Sequence, residues 1–322
     1  MTASPSPATA RRRWIIRAAG SAVLLGVLFW LLPVGEVMAA LKAIPLTVFL
    51  LVLALFLAAH AGAALKWWLL LGRGMPPMLA IRAHYAGLAA NLCLPGAVGG
   101  DAVRAGLAQA AMKDGARVVA GATADRLIDM IALLTIACLG LALSWNTGAS
   151  GGLVIQAAVI LAAVLAGMLA LPRLLPLPWR IAPALPGRAF VDRLVASFAA
   201  LGRDPATLII AFVSSIAIQL LLVGLAWGLA VAAGADIAPG YWIFAWPLAK
   251  IIAVLPVSLN GLGLREATLA ALLDPFGADP SVIVAAGLMW QAVLFAAGGL
   301  GALVLALSGG AREQKAQAGE KG

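Results

Sequence analysis

The chain has 322 residues, of which 63% are hydrophobic and 11% charged, with a mean hydropathy of +1.04, which excludes a soluble domain with a polar surface and identifies a polytopic membrane protein. That length accommodates roughly eight membrane-embedded segments of about 20 residues each and no sizeable aqueous domain. The net charge of +9 does not point to nucleic acid, because the basic residues gather in short links between apolar runs, where they report topology.

Residues 1–13 are rich in Ser, Pro and Ala and end in Arg11, Arg12 and Arg13, a disordered cytoplasmic lead. The apolar run 14–32 is long for a signal-peptide core and reads as a retained first span. It opens a single transmembrane domain over residues 14–308, with a cytoplasmic tail at 309–322. After an external link at 35–43, residues 44–71 return inward, and Lys66, Trp67 and Trp68 near their end suit an anchor at the headgroup level.

Residues 78–94 are apolar but carry Arg82, His84 and Asn91, and they lead into the sequence NLCLPGAVGGDAVR at 91–104. This stretch is too interrupted by glycine and proline to cross a bilayer, and its flanks are too apolar to leave one. Basic residues on both sides make a hairpin entering from the cytoplasm and turning at 95–100 the economical reading. A full span follows at 118–143, then an uncharged external link at 144–152 and another span at 153–171. Residues 172–204 hold five arginines and a predicted amphipathic helix through Phe190, Leu194, Phe198 and Leu201, placed on the cytoplasmic surface against anionic lipid. The span 206–233 leads to a second interrupted unit, 241–273, whose centre reads PVSLNGLGLRE at 256–266. Its flanks are poor in basic residues, so this hairpin enters from outside, and the span 282–307 closes the domain.

Of the 22 Lys and Arg, only Lys42, Lys250 and Arg265 fall away from the cytoplasmic side in this scheme. The fold class is therefore all-α and polytopic, with about six full spans and two oppositely oriented re-entrant hairpins. Paired interruptions in corresponding halves point to an inverted-repeat transporter with its site at the interface of the halves.

A broken helix at membrane depth leaves backbone amides without partners unless protein or water supplies them. Gly99, Gly100, Gly261 and Gly263 allow tight turning and close approach there, and freed amides at a half-helix start favour a phosphate or carboxylate. Asp101 is placed either as a cap of that helix start or in the site. Arg104 and Arg265 each offer a planar fork to a phosphate, or pair internally, Arg265 with Glu266. Asp125 and Asp129 lie one turn apart beside Arg126 and either accept a driving proton or cation or balance Arg104 and Arg82. Lys250, inside the second unit, needs a carboxylate, a carbonyl end or a lipid phosphate. His60 and His84 read as structural residues, and Cys93 and Cys138 as small buried hydrophobes. No metal, nucleotide or hydrolase motif is present, so no cofactor is expected.

In these residues the chain resembles the flippase-like integral membrane family named for the transmembrane region of lysylphosphatidylglycerol synthase. The matching residues are Asn91, Pro95 with Gly96, Gly99, Gly100 and Asp101 with Arg104, the pair Asp125 and Arg126, and Asn260, Gly261, Gly263, Arg265 and Glu266. The resemblance implies a lipid-translocating fold, and for the best-known members flipping of aminoacylated phosphatidylglycerol. Those members carry a soluble aminoacyl transfer domain that is not found in this sequence, so lysyl-lipid synthesis is not expected and the lipid stays open. Relatives of this form accompany hopanoid, glycolipid and polyprenyl-lipid pathways. The expected protein is a non-enzymatic lipid transporter of the bacterial cytoplasmic membrane, with both termini inside and lipid or glycan biosynthesis enzymes as possible partners. Two other readings stay open: a membrane-embedded transferase using Asp101, Asp125 or Glu266 as base, and a non-catalytic recruiter acting through residues 173–203.

Overall fold

The computed structural model describes residues 34–93, 97–143, 173–181, 187–253 and 261–319, with isolated positions between 159 and 170. The expected spans at 14–32 and 153–171, the link between 144 and 152, and the final three residues of the tail lie wholly or mostly outside them. Among the described residues the secondary structure is helical, without a strand.

Helix α1, Val34–Ala43, leads through Pro45 into α2, Leu46–Leu70, an uninterrupted apolar run that ends where Gly72 and Arg73 take positive φ. Two shorter helices follow, α3 at Pro77–Cys93 and α4 at Ala97–Met112, of 17 and 16 residues. Helix α5, Gly115–Leu143, closes the first half. The second half begins after the short α6, Leu177–Ile181, with α7 at Arg188–Gly202. Helix α8, Pro205–Ala232, starts with proline at its first position, and the Asp204 carboxylate accepts from the Thr207 amide at 3.0 Å, a good N-cap arrangement. Then come α9, Pro239–Ile252, and α10, Leu264–Leu273, of 14 and 10 residues, and finally α11, Pro280–Gly319. Four helices are long and apolar enough to cross a membrane: α2, α5, α8 and the part of α11 from Pro280 to Leu303. The helix α11 continues to Gly319, beyond the expected end of the last span near residue 307.

The packing repeats itself. Exchange α1–α5 for α7–α11 and the main helix contacts map onto one another. The α3–α11 contact becomes α9–α5, α5–α8 becomes α11–α2, α1–α11 becomes α7–α5, and α2–α8 maps onto itself. Within the halves, α3–α4 corresponds to α9–α10, and α4–α5 to α10–α11. Small residues let the exchanged pairs approach: Gly140 of α5 lies against the α9 backbone at Ile243 and Phe244, while Gly298 and Gly301 of α11 lie against Leu92 and the Tyr85 carbonyl of α3. The largest apolar cluster joins α2, α8, α9, α10 and α11, with Phe56, Trp246 and Trp290 in edge-to-face contact at 5.5 and 5.1 Å.

Two expectations are corrected here. Lys66 and Trp67 are 3% and 0% exposed, so they belong to the interior and not to a headgroup anchor. In α7, Leu194 and Phe198 pack on Ala116 and Ala120 of α5, and Leu201 joins Leu70, Ile128 and Ala211. The apolar face of this amphipathic helix is thus turned largely to protein, and of its four positions only Phe190 is exposed.

Candidate functional site

The first short pair, α3 and α4, is drawn together at Gly87 and Gly100. A Cβ on Gly100 would collide with the Gly87 carbonyl and the Asn91 side chain, and the Asn91 Oδ1 accepts from the Gly100 amide at 2.9 Å. The helix already begins at Ala97, so Gly99, Gly100 and Asp101 are helical residues and the turn is shorter than expected. Gly100 thus serves close packing, Gly99 lies inside the helix, and Asp101, in the fifth position of α4, is not its cap.

One turn beyond Gly100, Arg104 points inward and is 4% exposed. Its guanidinium lies 4.4 Å from the Trp67 ring centroid, a cation–π distance. Nη2 donates to Asp125 Oδ2 at 3.1 Å and lies 3.4 Å from Asp101 Oδ1, while Nη1 is 3.4 Å from His84 Nδ1. Nε has no partner. Asp101 also takes two bonds from Arg126, at 2.8 and 2.5 Å, and the Arg126 side chain remains 54% exposed.

Lys66 enters the same cluster from α2. Its ammonium lies 3.1 Å from Asp125 Oδ1, close enough for an ion pair but not aligned as a hydrogen bond, and it donates to Asp129 Oδ1. The Ser215 hydroxyl of α8 donates to that same oxygen. Alongside, His60 Nδ1 and His84 Nε2 are 2.9 Å apart. The Asp125 and Asp129 pair therefore balances Lys66 and Arg104, with Arg82 no part of the cluster. Lys66 reads from the sequence as a headgroup anchor and is here an interior cation, whereas His60 and His84 read as structural residues and here bond one another. The available signal for Lys66 was the two aspartates one turn apart, which call for a buried cation at the same depth.

The second short pair holds the other charged centre. Gly261 and Gly263 have φ of 80° and 81°, the left-handed region that glycine enters without strain, and this permits the sharp entry into α10. Glu266, fully buried, reaches back to accept from the Gly263 amide at 2.7 Å. It also accepts from Arg265 Nε and Nη2 at 3.1 and 2.5 Å, and Nη2 donates further to the Gly287 carbonyl at 3.1 Å. A Cβ on Gly287 would strike the Glu266 side chain, so this glycine makes the seat for the carboxylate. Arg265 pairs internally, as one of the two sequence expectations had it. Asn260 lies outside the described residues.

Lys250, half-buried at the end of α9, donates to Gln219 Oε1 of α8 at 2.7 Å. It lies within electrostatic range of Asp129, Arg126, Lys66 and Arg265. The first charged centre is thus drawn from α2, α3, α4, α5 and α8, and the second from α10 and α11, with Lys250 of α9 bound to α8. Among the described residues no three His, Cys, Asp or Glu side chains form a metal-binding group.

Comparison with protein families matches residues 14–301 to the family described as "Lysylphosphatidylglycerol synthase TM region". Comparison with curated proteins gives no match.

Proposed function

The chain belongs to the lysylphosphatidylglycerol synthase TM region family, and on that premise we propose that it translocates a lipid with a polar or anionic headgroup across the bacterial cytoplasmic membrane. The observation that carries this reading is the exchange symmetry of the packing, in which each short helix pair lies against the closing long helix of the other half. Helices of 17 and 16 residues reach only about 25 Å, less than the hydrocarbon core of about 30 Å. Each short pair is then a re-entrant hairpin, and the two enter from opposite faces. With spans at 14–32 and 153–171 added to the four long helices, the chain has six full crossings and cytoplasmic termini.

The headgroup enters between the hairpins while the acyl or polyprenyl tails stay in lipid. Arg104 and Arg265 hold its phosphate by exchanging it for Asp125 and Glu266, the carboxylates they bind in this conformation. Asn91, Asn260 and Arg126 contact the polar remainder. Replacing a carboxylate by phosphate loosens one half from its own charges, and rocking of the halves then alternates access. Asp125 and Glu266 are already bound to cations, which makes them poor bases and favours translocation over bond chemistry. Enzymes of lipid or glycan biosynthesis supply or consume the cargo.

The test is translocation of labelled phosphatidylglycerol, phosphatidylcholine and a polyprenyl phosphate in proteoliposomes. Transport above protein-free vesicles that falls at least tenfold in Arg104→Lys or Arg265→Lys supports the reading, since lysine keeps the charge but not the fork. Absence of transport for all three lipids refutes it.

A further inference from the structure

The charged interior is not balanced. Arg104 and Arg126 meet Asp101 and Asp125, Lys66 meets Asp125 and Asp129, and Arg265 meets Glu266. Among the described residues Lys250 makes no ion pair: its hydrogen bond goes to the neutral amide of Gln219, and the carboxylate in its electrostatic range, Asp129, is already bound to Lys66. The stretches 94–96, 144–172, 182–186 and 254–260 contain no Asp or Glu. Burying an ammonium without a counter-ion is costly, and proteins keep such a charge where a ligand supplies the opposite one.

We propose that Lys250 is the anion-binding group of the translocation site and that the cargo headgroup carries one uncompensated negative charge, as a phosphodiester without an attached cation does. This inference rests on the lipid-translocation reading and narrows its substrate. A singly charged headgroup brings five cations and five anions into balance in the interior. A neutral glycolipid leaves Lys250 unpaired, and an aminoacylated or choline-bearing headgroup brings its own positive charge toward an ammonium. The position suits the task. Lys250 sits in the last turn of α9, is bound to α8 through Gln219, and lies within electrostatic range of both Asp129 and Arg265.

The experiment measures dissociation constants of purified protein in neutral detergent for phosphatidylglycerol, phosphatidylcholine with the same chains, a galactosyl diacylglycerol and inorganic phosphate. Wild type is expected to prefer phosphatidylglycerol over the other two lipids by about tenfold, the difference made by one charge-assisted contact. Lys250→Arg keeps the preference and Lys250→Gln loses it. Gln219→Glu supplies an internal carboxylate to Lys250 and also loses it, which provides a second route if Lys250→Gln does not fold. A preference unchanged in folded Lys250→Gln and in Gln219→Glu overturns the assignment. Inorganic phosphate binding as tightly as phosphatidylglycerol overturns the lipid source and assigns Lys250 to a free anion. Translocation of the same lipids separates the two readings. Selective binding without transport refutes translocation and leaves the site standing, whereas equal transport of all three lipids refutes the site and leaves translocation standing.

Discussion

Replacing Arg265 by glutamine is expected to destabilise the protein far more than removing both charges of its pair. Glu266 is fully buried and Arg265 is 4% exposed, and the carboxylate accepts two bonds from the guanidinium and one from the Gly263 amide. Arg265→Gln leaves a buried carboxylate with one donor, a change of about 3 to 5 kcal/mol. Glu266→Gln strands the guanidinium against the Gly287 carbonyl and Gln291, with a loss of similar size. The double variant carries no charge there and forfeits only net hydrogen bonds, roughly 1 to 3 kcal/mol. The coupling between the sites is therefore at least about 3 kcal/mol, well above the scatter of additive pairs. Unfolding of the four proteins in mixed micelles by a denaturing detergent, followed by tryptophan fluorescence and extrapolated linearly, gives each difference. A double variant as unstable as the sum of the two single variants would refute the claim that this pair is a mutually dependent buried unit.

The other expectations are smaller in scope. Gly100→Ala pushes α3 from α4 at the Gly87 carbonyl and is expected to cost roughly 1 to 3 kcal/mol by overpacking, read by the same unfolding assay, whereas Gly106→Ala, with open space around it, is expected to be neutral or stabilising. Asp129→Asn weakens the link of α8 to Lys66 and should speed hydrogen exchange around Ser215 more than around Arg265, since only the former bonds that carboxylate. Hydrogen bonds from the Thr207 side chain and amide hold the Asp204 carboxyl below the usual carboxylate range. A depressed folded value means that this capping contribution is present above the ordinary aspartate pKa and is lost as pH falls through the folded value. The protection factors of the amides at the start of α8, with the intrinsic pH dependence of exchange divided out, should accordingly fall on acidification in wild type and show none of that change in Asp204→Ala.

The long apolar helices were legible because nothing in the sequence competes with them: α2, α5, α8 and α11 each carry an unbroken hydrophobic window. The two interruptions were legible for the same reason in reverse, as glycine and proline clusters inside apolar sequence. Lys66 was misread because a lysine followed by two tryptophans near a span end carries the same local pattern whether it faces headgroups or protein. Only the position of Asp125 and Asp129 across the helix interface decides, and that is tertiary information. Asp101 was open to a capping role because the helix start depends on where the chain turns after Pro95, and the helix in fact begins at Ala97. The histidine pair joins residues 24 positions apart on different helices, and no spacing rule reaches that far.

The distribution of the ion pairs bears on how the chain is made. A polytopic protein enters the bilayer from its N-terminal end, and each unpaired charge at mid-membrane carries an insertion penalty of about 2.5 to 3.5 kcal/mol. Among the described residues, every ion pair lies within one half: Lys66, Arg104 and Arg126 find their aspartates before residue 130, and Arg265 is followed at once by Glu266. The first half can leave the insertion machinery with its charges already neutralised, without waiting for α8 to be synthesised. Ser215 arrives afterwards and adds a hydrogen bond to a carboxylate that is already matched. Biogenesis of this protein thereby begins with an electrically self-sufficient first half, whereas the second half brings Arg265 with its own carboxylate and Lys250 without one.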